Sequence, residues 1–181
     1  MASEAFAGKS VLITGASSGI GAELARQLAR AGGRLTLTAR RVARLEDLAG
    51  KIAQTNAPRP LVVACDVTRE GDVERAVAES IRQWGKLDIV FANAGFGVVG
   101  AFRDLSVDDY RRQFETNVFG VLRTIHAALP EIEKTRGHVV LIGSVAGWTS
   151  SPNASPYAMS KFAVRALADA LTPELAPRGV T

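Results

Sequence analysis

Apolar residues along the chain fall into two alternating patterns. Some are short, nearly continuous β-branched or leucine-rich runs: Ser10 to Thr14, Arg34 to Ala39, Pro60 to Cys65, Asp88 to Ala92 and His138 to Gly143. Runs of this kind suit strands buried on both faces of a parallel sheet. Between them, apolar residues recur at helical spacing: Ile20, Leu24 and Leu28; Val42, Leu45, Leu48 and Ile52; Val73, Val77 and Ile81. Ser106-Val107-Asp108-Asp109 has the form of a capping box, in which a serine hydroxyl and an acid three positions on satisfy the first free amides. One helix is predicted to start there and run toward Leu129. A last helix is predicted from Pro156, whose fixed φ and missing N–H suit the first helical position, with Ser155 as its N-cap. Pro173 predicts a kink within it.

Strand and helix alternate with short connections and no internal linker, which predicts one doubly wound α/β domain over residues 1–181. Crossovers of one hand place helices on both faces of such a sheet. Ligands bind there at the carboxyl ends of the strands, where the strand order reverses, so residues just after the strands carry the functional weight.

Composition narrows the function classes. With 47% hydrophobic and 22% charged residues among 181, disorder as the main state is excluded. A chain of this length buries roughly 70% of its unfolded surface and folds without a disulfide or metal staple. Cys65 is the single cysteine; it is expected to be a small buried hydrophobe, and no metal site is expected. The net charge is +4, but the basic residues are scattered apart from Arg34, Arg40, Arg41 and Arg44, so nucleic acid is not an expected partner. The apolar runs are far shorter than the roughly 20 residues that span a bilayer. Met1 to Phe6 carries neither a basic leader nor an apolar core segment, so a cytoplasmic protein with no membrane partner is expected.

Candidate chemistry lies after each strand. Thr14-Gly15-Ala16-Ser17-Ser18-Gly19-Ile20-Gly21 follows the first and opens directly into a helix. Glycines allow a tight turn and close backbone approach, and a helix N-terminus offers free amides to a pyrophosphate. The spacing Gly-x-x-x-Gly-x-Gly differs from the commoner dinucleotide fingerprint, and no Gly-Lys-Ser/Thr follows to make a P-loop. The second strand ends in Arg40-Arg41, where an NAD site would place an acid on the ribose; Glu46 and Asp47 lie too far into the helix. Arginine there suits the 2′-phosphate of NADP, or else a solvated helix start. Asp66 after the third strand either contacts an adenine amine or caps the next helix.

Ser144, Tyr157 and Lys161 form the richest set. Tyr157 and Lys161 are four apart at the start of a helix and so share a face. A tyrosine with an ordinary pKa near 10 is a poor acid or base at neutral pH, and a neighbouring ammonium favours its phenolate. A hydroxyl such as Ser144 can hold a carbonyl or alcohol oxygen beside the phenol. Phe96, Val98, Val99, Phe102 and Trp148 suit either an apolar pocket wall or the core.

Taken together, Thr14-Gly15-x-x-x-Gly19-x-Gly21, Asn93-Ala94-Gly95, Asn117, Ser144 and Tyr157-Ala158-Met159-Ser160-Lys161 resemble the short-chain dehydrogenase/reductase family over essentially the whole chain. The resemblance implies a Rossmann-like three-layer fold and hydride transfer between a nicotinamide and a carbonyl or secondary alcohol. It implies Tyr157 as general acid or base, Lys161 on the nicotinamide ribose, Ser144 orienting the substrate oxygen and Asn117 holding a water in a proton relay. Cofactor contacts are implied at Gly15, Ser17, Ser18, Gly19, Ile20, Gly21, Arg40, Arg41, Asp66, Val67, Asn93, Ala94, Gly95, Tyr157 and Lys161. The Thr-Ala-Arg ending of the second strand is similar to NADP-preferring members. NADP(H) is the expected cofactor, with NAD(H), or a nucleotide-binding scaffold without turnover, as alternatives. A homodimer or homotetramer acting on a small-molecule carbonyl or alcohol is implied. Ala92 replaces an asparagine common in the family. Members usually continue past Gly179-Val180-Thr181 into further strands and a substrate loop, so the C-terminal strands are expected to be missing here. An apolar sheet edge is then expected to be exposed, with weak nicotinamide binding and slow turnover by this chain alone.

Overall fold

The structure, a computed structural model, describes residues 6–55 and 57–181. β1 (Ser10–Thr14), β2 (Arg34–Ala39), β3 (Leu61–Ala64), β4 (Ile89–Ala92) and β5 (His138–Leu141) form one parallel sheet in the order β3-β2-β1-β4-β5. The chain steps outward from β1 to β3 and then crosses back to β4, so the order reverses between β1 and β4. β3, β4 and β5 are shorter than the runs that predict them. Pro60 has no N–H for a ladder, while Asp88 donates to the Ser10 carbonyl at 3.0 Å and accepts the His138 amide at 2.9 Å, and Ile142 donates to the Ala92 carbonyl at 3.3 Å. These are frayed strand ends rather than altered strands.

The side-chain alternation of β1 sorts the core. Val11 and Ile13 face α1 (Gly19–Arg30) and α2 (Val42–Ala53), joining Ala25, Leu28, Leu45 and Leu48. Leu12 faces α3 (Asp72–Trp84) and α5 (Gly120–Thr135), joining Val73, Val77, Ala128 and Ile132. A period of two across a sheet buried on both faces gives three layers, as the apolar runs require. The fold is a Rossmann-like α/β/α arrangement.

The helix predicted from Ser106 is not one rod. The capping box is formed, with Ser106 N–H donating to Asp109 at 3.0 Å and Asp109 N–H to the Ser106 hydroxyl at 3.3 Å. It opens α4 (Val107–Phe114), which passes through a π-helical turn at Glu115–Phe119 and continues as α5 past Leu129 to Thr135. Gln113 and Asn117 flank and occupy that turn, and both bond the backbone of Phe96. This tertiary anchoring accompanies the extra residue in the turn, a feature that clusters at functional sites.

The last helix, α6 (Ser155–Leu175), corrects the expected N-cap. Its N-cap is Ala154, because Ser155 is already helical and its hydroxyl pairs with the Tyr110 phenol at 2.7 Å. α6 also continues two residues beyond Pro173 before tightening into a 3₁₀ turn over Ala176–Arg178. At the outer edge of β5, Val139 N–H donates to Thr181 at 2.8 Å and Thr181 N–H to Gly137 at 3.2 Å, so part of the edge expected to be bare is paired. The expected apolar surface is present as a cavity of about 590 Å³ against β4, β5 and α6, walled by Phe91, Val140, Leu141, Leu171 and Leu175. Among the described residues no helix is long and apolar enough to cross a membrane.

At the opposite end of the sheet from the glycine turn, Asp88 accepts the Ser10 amide at 2.8 Å and the Lys86 ammonium at 2.9 Å, with Lys9 at 3.5 Å. Burial pushes this carboxyl up, but the Ser10 amide and the two ammonium groups together hold it below the ordinary carboxylate value. A depressed folded pKa contributes stability that is present above about pH 4 and lost as pH falls through the folded value. Asp88→Ala is expected to cost about 2 kcal/mol at neutral pH, because the buried Ser10 amide loses its acceptor. Thermal unfolding should show that deficit at pH 7 and see it shrink in strong acid; a deficit independent of pH would contradict the assignment.

Candidate active site

A cleft of about 550 Å³ opens at the carboxyl ends of the strands, across the reversal between β1 and β4. Its floor is the turn from β1 into α1. Gly15 has φ +70°, and a Cβ there would lie 2.7 Å from the Ala94 Cα. A Cβ on Gly21 would lie 2.6 Å from the Asn93 amide nitrogen and 2.8 Å from the Gly15 carbonyl. These two glycines are required by close backbone approach. Gly19, at φ +57°, faces open space. Ser18 is the extended N-cap of α1 and makes no side-chain cap bond, which leaves the first amides of the helix to the cleft.

Asn93 sews the two central loops together. Its side-chain amide donates to the Thr14 carbonyl at 2.8 Å, while the Thr14 hydroxyl accepts from the Asn93 and Ala94 amides at 3.1 and 3.2 Å. Thr14 was not singled out by the sequence as a site residue; a hydroxyl on the last residue of a central strand, opposite Asn-Ala-Gly, is the signal that could have found it.

At the adenine end, the guanidinium of Arg41 donates to the Ser17 hydroxyl at 2.9 Å and to that of Ser18 at 2.7 Å. The second arginine thus reaches over the glycine turn, while Arg40 lines the cleft toward Asp66. Glu46 and Asp47 are spent on Arg59 and Lys51, away from the cleft. Asp66 does not cap the next helix: α3 begins at Asp72 with Gly71 as its cap, and Asp66 instead accepts from the amide and hydroxyl of Thr68 at 3.0 and 2.8 Å. Burial pushes its carboxyl up, yet Thr68, Arg40 and Arg69 hold it below the ordinary value. Val67 lines the same wall. Cys65 is buried in the core cluster, and desolvation pushes its thiol up to about 11, so it remains an unreactive neutral group.

Tyr157 and Lys161 stand at the other end, one turn apart on α6. The Lys161 ammonium lies 5.8 Å from the centre of the Tyr157 ring and donates to the Ile142 carbonyl at 2.7 Å, where β5 ends. Lys161 is only 9% exposed, and that burial lowers its pKa. A Cβ on Gly147 would lie 2.8 Å from the Lys161 carbonyl, so the turn after Ser144 packs directly on α6. Ser144 follows β5 beside the cleft rather than among its lining residues; its hydroxyl accepts the Ala146 amide at 3.1 Å and retains its own proton to donate.

Asn117 sits in the π-helical turn beneath the loop that follows β4. It is buried to 1% exposure; both hydrogens of its side-chain amide are used, on the Phe96 carbonyl at 2.9 Å and the Ser160 hydroxyl at 3.1 Å, and its oxygen accepts the Phe96 amide at 3.1 Å. Its side chain is therefore committed to protein groups. Of the apolar residues that suited either wall or core, Phe96 and Val99 line the cleft, whereas Phe102 and Trp148 lie outside it with Trp148 stacked under Arg165.

Residues 9–181 match the family model described as short chain dehydrogenase. The chain is 41% identical over 181 residues to 11-beta-hydroxysteroid dehydrogenase-like 4A of Arabidopsis thaliana, covering 99% of this chain and 60% of that protein. It is 40% identical over 171 residues to dehydrogenase/reductase SDR family member 7B of Bos taurus, covering 91% of this chain and 53% of the relative. The chain thus spans little more than half the length of these curated relatives. Among solved structures, an alcohol dehydrogenase from Thermococcus sibiricus complexed with 5-hydroxy-NADP superposes with TM-score 0.88 at 35% identity, covering 92% of this chain and 71% of that one. A short-chain type dehydrogenase/reductase from Mycobacterium marinum gives TM-score 0.92 at 33% identity over 98% of this chain and 73% of that one. On the extent of the family match and on the shared fold, the chain belongs to the short-chain dehydrogenase family.

Proposed function

We propose that this protein is an NADP-dependent oxidoreductase that interconverts a carbonyl and a secondary alcohol, with Tyr157 as its proton donor and acceptor. The observation that carries the reading is the pairing of Tyr157 with the buried Lys161 at one end of a glycine-floored cleft. The floor fits a dinucleotide: glycine removes the Cβ atoms that would close the turn, and the uncapped start of α1 suits a pyrophosphate. Gly15, Ser17, Ser18, Gly19, Ile20 and Gly21 would hold that group, with Asn93, Ala94 and Gly95 along the opposite wall and Asp66 and Val67 at the adenine. Arg41, already on the two serine hydroxyls, and Arg40, at the rim where an acid is absent, favour a 2′-phosphate over a bare ribose. When bound, the nicotinamide supplies or takes the hydride.

The chain's own residues do the proton chemistry. Reduction leaves negative charge on the carbonyl oxygen, and the Tyr157 hydroxyl transfers its proton there; oxidation runs the same transfer backward. The Lys161 ammonium is the cation available to the phenolate that results, and the Ile142 carbonyl fixes where it stands. Ser144, with one lone pair on Ala146, can donate to the same substrate oxygen. Phe96 at 37% and Val99 at 74% exposure give the mouth an apolar lip, which suits a carbonyl carried on an apolar body. Half-exposed Phe119 and Phe162, at the start of α5 and on α6, support self-association as a homodimer or homotetramer.

Intrinsic-fluorescence titration with NADPH and NADH, followed by a screen of apolar aldehydes and ketones, tests the reading. Saturable NADPH binding with carbonyl-dependent oxidation of the cofactor is expected. Failure to bind either cofactor would overturn it.

A further inference from the structure

Gln113 has no place in the chemistry described above, yet it is completely buried and polar. A buried amide must find partners, and this one finds backbone. Its oxygen accepts the Val98 amide at 2.6 Å and its nitrogen donates to the Phe96 carbonyl at 2.6 Å. Asn117, within the π-helical turn, grips Phe96 as well: its side-chain oxygen accepts the Phe96 amide at 3.1 Å and its side-chain nitrogen donates to the Phe96 carbonyl at 2.9 Å. The Phe96 carbonyl therefore receives two donors and the Phe96–Val98 segment is held at three backbone atoms by two side chains. That segment is where the clamp meets the reacting group. A Cβ built on Gly97 would lie 3.6 Å from Cδ2 of the Tyr157 ring, so the loop runs beside the ring with room for no more than the glycine hydrogens and a single methyl between them.

We propose that Gln113 is a positioning residue for Tyr157: it fixes the loop of Phe96 to Val98, and the loop fixes the ring that carries the reactive phenol. The inference rests on the reading of Tyr157 as the proton donor. Gln113 is not among the residues that line the cleft and its hydrogen bonds go to Phe96 and Val98, so it acts through the loop that carries Gly97. Ring position matters because displacement of a reacting group by about 1 Å costs about a hundredfold in rate.

The protein has two tyrosines, Tyr110 and Tyr157, so ring-labelled tyrosine gives an NMR spectrum of two sets of signals, assigned by Tyr157→Phe. In Gln113→Met, which keeps the bulk and loses both bonds, the Tyr157 signals are expected to shift and broaden in the cofactor-free protein. The Tyr110 signals, reporting the bond to Ser155, stay sharp and show that α4 is intact. Turnover should fall about a hundredfold, with NADPH affinity nearly kept. Gln113→Glu retains an acceptor for Val98 but sets an oxygen against the Phe96 carbonyl; it is expected to perturb the same signals and covers the case in which the methionine variant fails to fold. Tyr157 signals unmoved in a folded variant overturn the proposal. Because the spectra need no turnover, a parent protein inactive toward carbonyls counts against the oxidoreductase reading and leaves the clamp to be decided by NMR.

Discussion

Tyr157→Phe is expected to lower turnover about a thousandfold, the scale of a lost general acid, and to leave NADPH binding nearly unchanged. The substitution removes one oxygen. The phenylalanine ring can keep its place beside Gly97, and the Lys161 ammonium keeps its bond to the Ile142 carbonyl, so the end of β5 loses no partner. Lys161→Ala should behave differently. It removes the cation beside the ring and leaves the Ile142 carbonyl without its donor, so affinity and turnover are both expected to fall. The contrast between the two variants, read as separate kcat and cofactor dissociation constants, distinguishes proton transfer from support of the site. If Tyr157→Phe kept half of the parent turnover, the proton would have another source and the assignment would fail.

The strands, the capping box at Ser106 and the glycine turn were legible because each depends on residues close together in sequence. Apolar runs mark strands buried on two faces, and a serine followed by an acid three positions on satisfies amides it can reach locally. The departures arise where a distant partner decides. Ser155 is a good cap by its chemistry, but Tyr110 takes its hydroxyl and the cap falls to Ala154. Asp66 is a good cap as well, but the chain makes a turn at Thr68 before α3 begins. The helix from Ser106 looked continuous because a π-helical turn has no local composition; it reflects the hold of Gln113 and Asn117 on Phe96. Asn117 was found through its place in a family pattern, and that pattern could not show that its side-chain amide is consumed by Phe96 and Ser160. Gln113 carries no sequence signal, since a polar residue among Arg111, Arg112 and Glu115 reads as part of a solvated face.

The two arginines after β2 separate by geometry, and this sets the sharpest expectation for the cofactor. Arg41 is already organised: it bonds both serine hydroxyls of the glycine turn, so its guanidinium is held near the turn before any ligand arrives. Preorganisation lowers the ordering cost of binding. Arg40 lies toward Asp66 and helps hold that carboxyl in its charged form. Arg41→Ala should therefore weaken NADPH more than NADH, by about tenfold to a hundredfold, as loss of charge-assisted bonds to a phosphate requires. Arg40→Asp adds an acid at the end of β2, where a ribose hydroxyl is recognised in NAD sites, and it also sets a second carboxylate near Asp66. The double variant Arg40→Asp/Arg41→Ala is expected to bind NADH more tightly than NADPH, reversing the parent preference by about a hundredfold or more. Both arginines are exposed, so the parent preference should narrow as salt rises and screens the phosphate. A parent that binds both cofactors equally at low salt would remove the phosphate from the reading, and the Arg41 bonds to Ser17 and Ser18 would then be a means of stiffening the glycine turn.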